Sequence, residues 1–85
     1  MRKVTTSMLK SCAKDLKEIR AQWPNNLEPS LASLFESVIQ RLEQGEEVLS
    51  DRAALMALFD DGLILVGRLS EVALVIAEIV KHYRS

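Results

Sequence analysis

Apolar residues recur at helical spacing through the last third of the chain, from Leu55 to Tyr83. One row follows alternating steps of four and three residues, and a second row repeats at intervals of seven: Leu58, Leu65, Val72 and Ile79. A helix built from this segment is apolar over more than half of its circumference. Such a helix cannot lie on the surface of a small monomer. We therefore expect it at the centre of a bundle or buried against another chain.

Two shorter amphipathic segments precede this one. The first predicts a helix from Thr6 to Gln22, which Pro24 ends because the residue before a proline is pushed out of the α region. The second predicts a helix from Pro29 to Glu43, and Gly45 is placed to end it in the left-handed conformation. Ser50 is the expected N-terminal cap of the helix that follows.

The last segment has two interpretations. It forms either one helix from Ser50 to Tyr83, or two helices, with a break at Asp60, Asp61 and Gly62 and a restart at Leu69, Ser70 and Glu71. The apolar rows pass both Gly62 and Gly67 without a change of phase, which favours the long helix, straight or kinked. That helix would be ~50 Å long, and it would overhang a domain whose radius of gyration is ~12 Å. A break would instead allow a compact four-helix monomer.

A polar stripe accompanies the apolar rows along the same segment. Its members lie at helical spacing: Asp60, Gly67, Glu71, Glu78 and His82. Ile64 and Val75 also fall on this stripe, and the amphipathic pattern gives no reason for an apolar residue at either position.

Composition supports an all-α, single-domain chain over residues 1–85, because hydrophobic residues make up 48% and Gly and Pro are scarce. We expect a small antiparallel bundle of three to four helices. A chain of this size has a marginal core, and its one cysteine, Cys12, permits no internal disulfide. Oligomerisation or very regular helix packing is the remaining remedy. The dimer interface predicted from the two apolar rows comprises Leu58, Leu65, Val66, Leu69, Val72, Ala73, Ile76 and Ile79.

Charge is unevenly distributed although the whole chain carries only −1. The first twenty residues carry a net +4, residues 21–51 a net −5, and the rest is balanced. Oppositely charged segments can attract each other within or between chains. Lys10, Lys14 and Lys17 form a basic face that offers an alternative, contact with nucleic acid. The low net charge and the lack of aromatic residues on that face argue against it.

Candidate chemistry is sparse. The chain has no Gly-rich phosphate loop, no His-Glu-x-x-His pair and no nucleophile elbow, and His82 is its only histidine. Its carboxylates lack the spacing of a di-metal or calcium site, so they are expected to form a solvated acidic face. Cys12 lies on the apolar stripe of the first helix and is expected to be buried and inert. We therefore predict no catalytic site, no metal and no cofactor.

The apolar segment from Gly62 to Val80 also invites a transmembrane interpretation. Arg68, Glu71 and Glu78 interrupt it, and the cost of placing their charges in a bilayer outweighs the gain from its apolar residues. Polar residues also interrupt any signal peptide at the N-terminus. We therefore expect no membrane association and a cytoplasmic location.

These observations favour a non-enzymatic protein–protein interaction module that acts as a homodimer. One alternative is a nucleic-acid-associated regulator, of the antitoxin or phage type, that uses the basic first helix. A second alternative is a bundle that encloses an apolar small ligand, with walls from Met8, Trp23, Phe35, Met56 and Phe59.

Overall fold

The computed structural model describes residues 4–22 and 27–84, except for the side chains of residues 71, 82, 83 and 84. These ranges are almost wholly helical and contain no strand, so the all-α prediction is confirmed. The helices are α1 (Thr6–Ala21), α2 (Pro29–Glu43), α3 (Gly45–Ser50), α4 (Arg52–Arg68) and α5 (Ala73–Arg84), with a 3₁₀ turn over Ser70–Val72.

The four longer helices form the sides of one bundle. α1 packs against α2 and α5, and α4 packs against the same two helices from the opposite corner. The short α3 links α2 to α4 and contacts α1. The Cα radius of gyration is 12.1 Å and the longest dimension is 39 Å.

The core lies along the centre of this bundle. Its fully buried large side chains come from all four longer helices and the 3₁₀ turn: Leu9, Leu16, Phe35, Val38, Leu42, Leu58, Leu65, Val72 and Ile79. The apolar row at intervals of seven residues is therefore buried throughout.

The first two helices match their predictions to within a residue. Thr5 Oγ1 accepts a hydrogen bond from the Met8 backbone N–H at 3.1 Å, which caps α1. Pro29 occupies the first turn of α2, where its missing N–H removes no helical hydrogen bond. Trp23 and Pro24 lie outside the described residues, and so does the side chain of His82.

Gly45 does not adopt the predicted left-handed conformation; it starts α3 with ordinary helical geometry. A Cβ atom at Gly45 would lie 3.1 Å from Thr6 Cγ2 and 3.3 Å from Thr6 Cα. The close approach of α3 to the start of α1, rather than the backbone angle, therefore accounts for glycine at this position.

Ser50 is not the cap of the following helix. Asp51 takes that role, because its Oδ1 accepts hydrogen bonds from the Ala53 and Ala54 backbone N–H groups at 3.0 and 3.4 Å. The Ser50 hydroxyl instead donates to the Glu47 carbonyl oxygen at 3.0 Å.

The long C-terminal helix is not observed, and neither is a break at Asp61 and Gly62. α4 runs unbroken through Gly62 and ends at Arg68, and Leu69 is extended (φ −133°, ψ 100°). Gly67 and Ser70 weaken helix formation locally. The break lets α5 fold back against α1 and α4, which buries Ile76 and Ile79 without a second chain. Tertiary burial thus overrides the continuous apolar pattern.

Candidate interaction surface

The predicted dimer interface lies largely inside the single chain. Five of its eight residues are at most 3% exposed: Leu58, Leu65, Val72, Ile76 and Ile79. Val66, Leu69 and Ala73 are half-buried. The chain's own helices cover most of the predicted interface, and its five buried side chains have no surface left for a second chain.

A different apolar surface lies on the side of α4 that faces away from the core. Leu63 and Ile64 are 57% and 56% exposed there. Their neighbours at helical spacing are exposed too, and together they define the outer face of α4: Asp60, Leu63, Ile64, Gly67 and Arg68. Apolar residues lie on this face as well as on the buried side of α4. This helix is therefore the least amphipathic of the four longer ones.

A groove between α2 and α4 continues this surface. It has a volume of about 270 Å³ and is lined by Ser30, Leu31, Leu34, Ile64 and Arg68. Leu31 and Leu34 are half-buried and form its apolar floor with Ile64. Ile64 belongs to both the groove and the outer face of α4, so the two form one continuous apolar area.

Opposite charges flank the outer face of α4. Asp60 and Arg68 are both exposed, and neither forms an ion pair with another side chain of the described residues. Eight residues of helix separate them, about 12 Å along the axis, so they cannot reach each other. The adjacent Asp61 differs, because its Oδ2 lies 3.2 Å from Arg41 Nη1 of α2.

A second groove, of about 380 Å³, lies between α1 and α5 on another side of the bundle. Its walls include Met8 and Leu74, and Leu74 is 85% exposed. Cys12 lines it but is only 6% exposed. Burial raises the pKa of the Cys12 thiol to about 11, with smaller contributions from the negative charges of Asp15 and Glu78. The thiol is therefore protonated and unreactive at neutral pH.

The basic face of α1 lies beside acidic residues. Lys10, Lys14 and Lys17 are exposed and line a depression with Glu43, and Lys17 forms an ion pair with that carboxylate. Lys10 also borders an adjoining depression that includes Glu46 and Glu47. The basic face is therefore one half of a mixed-charge surface, which weakens its attraction for phosphates.

The other sequence hypotheses concern a ligand pocket, a metal site and a membrane span. Phe35 is fully buried in the core, and it is not among the residues that line the groove bordered by Met8. No group of three or more potential metal ligands occurs among the described side chains of residues 4–22, 27–70 and 72–81. Within the same ranges no helix has both the length and the apolar character needed to cross a bilayer.

Sequence reasoning missed Leu63 as a surface residue and left Ile64 unexplained. The sequence offered a partial signal, because Ile64 and Val75 were two apolar residues on the polar stripe. Val75 is half-buried against the core, so only the structure distinguishes Ile64 as an exposed residue. Comparison of the chain with protein-family models, with curated protein sequences and with solved structures finds no match.

Proposed function

We propose that the protein is a non-enzymatic protein–protein interaction module that acts as a homodimer, and that the outer face of α4 is its contact surface. The observation that carries the proposal is the adjacent exposure of Leu63 and Ile64 on a helix whose other side is buried. A helix that is apolar on both sides is typical of one covered on both sides.

The size of this surface sets the expected affinity. Complete burial of a leucine or isoleucine side chain contributes roughly 1.5–3 kcal/mol, and Leu63 and Ile64 are each a little over half exposed. Over two copies, these four side chains would contribute about 3–7 kcal/mol on burial, and the α2–α4 groove would add to this. Association costs at least about 4 kcal/mol. We therefore expect a weak dimer with a dissociation constant in the millimolar range.

The test is the solution mass, measured by static light scattering over a hundredfold range of concentration that reaches several millimolar. Wild-type protein should shift from monomer to dimer within this range. The double variant Leu63→Glu, Ile64→Glu should remain monomeric because it places charges in the apolar contact. Circular dichroism would establish that the variant retains its helices.

Leu74→Glu is the matched control, because Leu74 is a still more exposed apolar residue on α5 rather than α4. It should dimerise like the wild type. A wild-type protein that remains monomeric at every concentration would contradict the proposal. The proposal would also be contradicted if Leu74→Glu disrupted the dimer while Leu63→Glu, Ile64→Glu left it intact.

A further inference from the structure

The charged residues on the outer face of α4 are placed symmetrically about Ile64. Asp60 precedes Ile64 by four residues and Arg68 follows it by four, so each lies about one helical turn away. Both are exposed and lie on the same side of the helix as Ile64. The face therefore carries an acidic end, an apolar centre and a basic end.

We infer that two copies pack their α4 helices antiparallel across a two-fold axis near Ile64, which places Asp60 of each copy beside Arg68 of the other. The inference rests on the proposed function, and it specifies which surface of the second copy covers the outer face of α4. A two-fold contact uses the same patch on both partners, so that patch must be complementary to itself. The order of acidic, apolar and basic residues satisfies this requirement only when the two helices run in opposite directions.

The parallel arrangement is disfavoured by the same charges. Parallel α4 helices in equal register would place Asp60 beside Asp60 and Arg68 beside Arg68, and like charges at close range are destabilising. Antiparallel helices centred on Ile64 convert both repulsions into attractions. They also use two charges that have no ion-pair partner within the described part of the chain.

The apolar centre fits the antiparallel arrangement. Ile64 lies on the α2 side of the outer face, where it borders the α2–α4 groove. An antiparallel two-fold keeps the α2 sides of both copies together, so the two Ile64 side chains meet next to both grooves. Gly67 contributes no side chain, and a Cβ placed there would have no atom within 4 Å. The backbone of a second helix can therefore approach closely at this point.

Reversing the charges of Asp60 and Arg68 tests the antiparallel alignment of the two α4 helices. Asp60→Lys and Arg68→Glu should each weaken dimerisation about tenfold, because each change turns two attractive contacts per dimer into two repulsive ones. The double variant Asp60→Lys, Arg68→Glu should recover the wild-type dissociation constant, because it restores both pairs with their signs exchanged. Sedimentation equilibrium at low salt would give the dissociation constants, and added salt should reduce the differences.

Mixing the two single variants is the internal control for folding. An equimolar mixture of Asp60→Lys and Arg68→Glu should form a heterodimer of wild-type affinity, because every contact between the two chains is again attractive. Helices that paired in parallel would give a different result: the single variants would dimerise like the wild type, and the mixture would dimerise more tightly than it.

Disulfide formation provides a second measurement in a Cys12→Ala background. Ile64→Cys should form a covalent dimer on mild oxidation, because the two-fold axis passes near this residue. Gly67→Cys should not, because antiparallel packing separates the two copies of residue 67 by about 9 Å along the axis, beyond the Cα separation that a disulfide spans. Efficient cross-linking at residue 67 would overturn the antiparallel register.

The outcomes separate this inference from the proposed function. If Leu63→Glu, Ile64→Glu abolishes a wild-type dimer but charge reversal has no effect, the outer face of α4 remains the interface and the register is wrong. If the wild type never dimerises, the proposed function itself fails.

Discussion

At the scale of single residues, the burial of Cys12 could be predicted from the sequence, but only part of its charged environment could. The apolar stripe of α1 predicts a buried thiol, and Cys12 is buried. Asp15 is one turn away on the same helix and is visible from sequence. Glu78 comes from α5, so its influence on the thiol depends on how α5 folds back. Local sequence gives the burial and the nearby Asp15, whereas only the tertiary arrangement brings Glu78 close to the thiol.

The raised pKa of Cys12 predicts a dependence of stability on pH. In the unfolded chain the thiol loses its proton near pH 9, whereas in the folded chain it retains it to about pH 11. The folded state therefore binds more protons across this window, and its stability falls as pH rises through it. We expect the free energy of unfolding to fall by roughly 2 kcal/mol more in wild type than in Cys12→Ala by pH 11. Urea titrations of both proteins from pH 8 to 11 would measure this, and parallel pH profiles would contradict it.

At the scale of elements, sequence predicted the helices that local signals define. α1 and α2 have the expected bounds because a capping threonine and a helix-starting proline act on their immediate neighbours. The end of α4 was not predictable in this way. Its apolar rows continue into α5 without a change of phase, and both helices bury those rows in the same core. The break at Leu69 reflects packing between helices, which periodicity along one helix does not encode.

Gly45 in α3 and Gly67 in α4 should respond in opposite ways to substitution by alanine. Gly45→Ala should lower the free energy of unfolding by roughly 1–3 kcal/mol, because the new Cβ would crowd backbone as well as side-chain atoms of Thr6. Gly67→Ala should raise it by up to about 1 kcal/mol, because the new Cβ meets open space. Urea unfolding in the Leu63→Glu, Ile64→Glu background would exclude any effect of association. Equal effects of the two substitutions would show that the contact with Thr6 is unimportant.

At the scale of the whole molecule, the uneven charge of the sequence becomes an arrangement of neighbouring helices. Lys17 of α1 forms an ion pair with Glu43 of α2, and Arg20 Nε lies 3.8 Å from Glu36 Oε1. The +4 and −5 segments thus face each other within one chain, as one of the two sequence interpretations proposed. Sequence indicated the attraction, but it could not say whether the partner segment belonged to the same chain or to another.

This arrangement separates a structural role of the basic face from the nucleic-acid hypothesis. Reversal of Lys10, Lys14 and Lys17 to Glu would place new carboxylates beside Glu43, Glu46 and Glu47. We expect this triple variant to lose about 1–2 kcal/mol of unfolding free energy at low salt. Its glutamine counterpart should lose less, because it removes attraction without adding repulsion.

Added salt should stabilise the glutamate variant and slightly destabilise the wild type, because screening weakens repulsion in one and attraction in the other. Urea titrations of the three proteins at two salt concentrations would measure these differences. The opposite result would support the nucleic-acid hypothesis. If the glutamate variant is as stable as the wild type, and the wild type binds duplex DNA with a steep salt dependence that the variant lacks, the lysines serve phosphate contact rather than the fold.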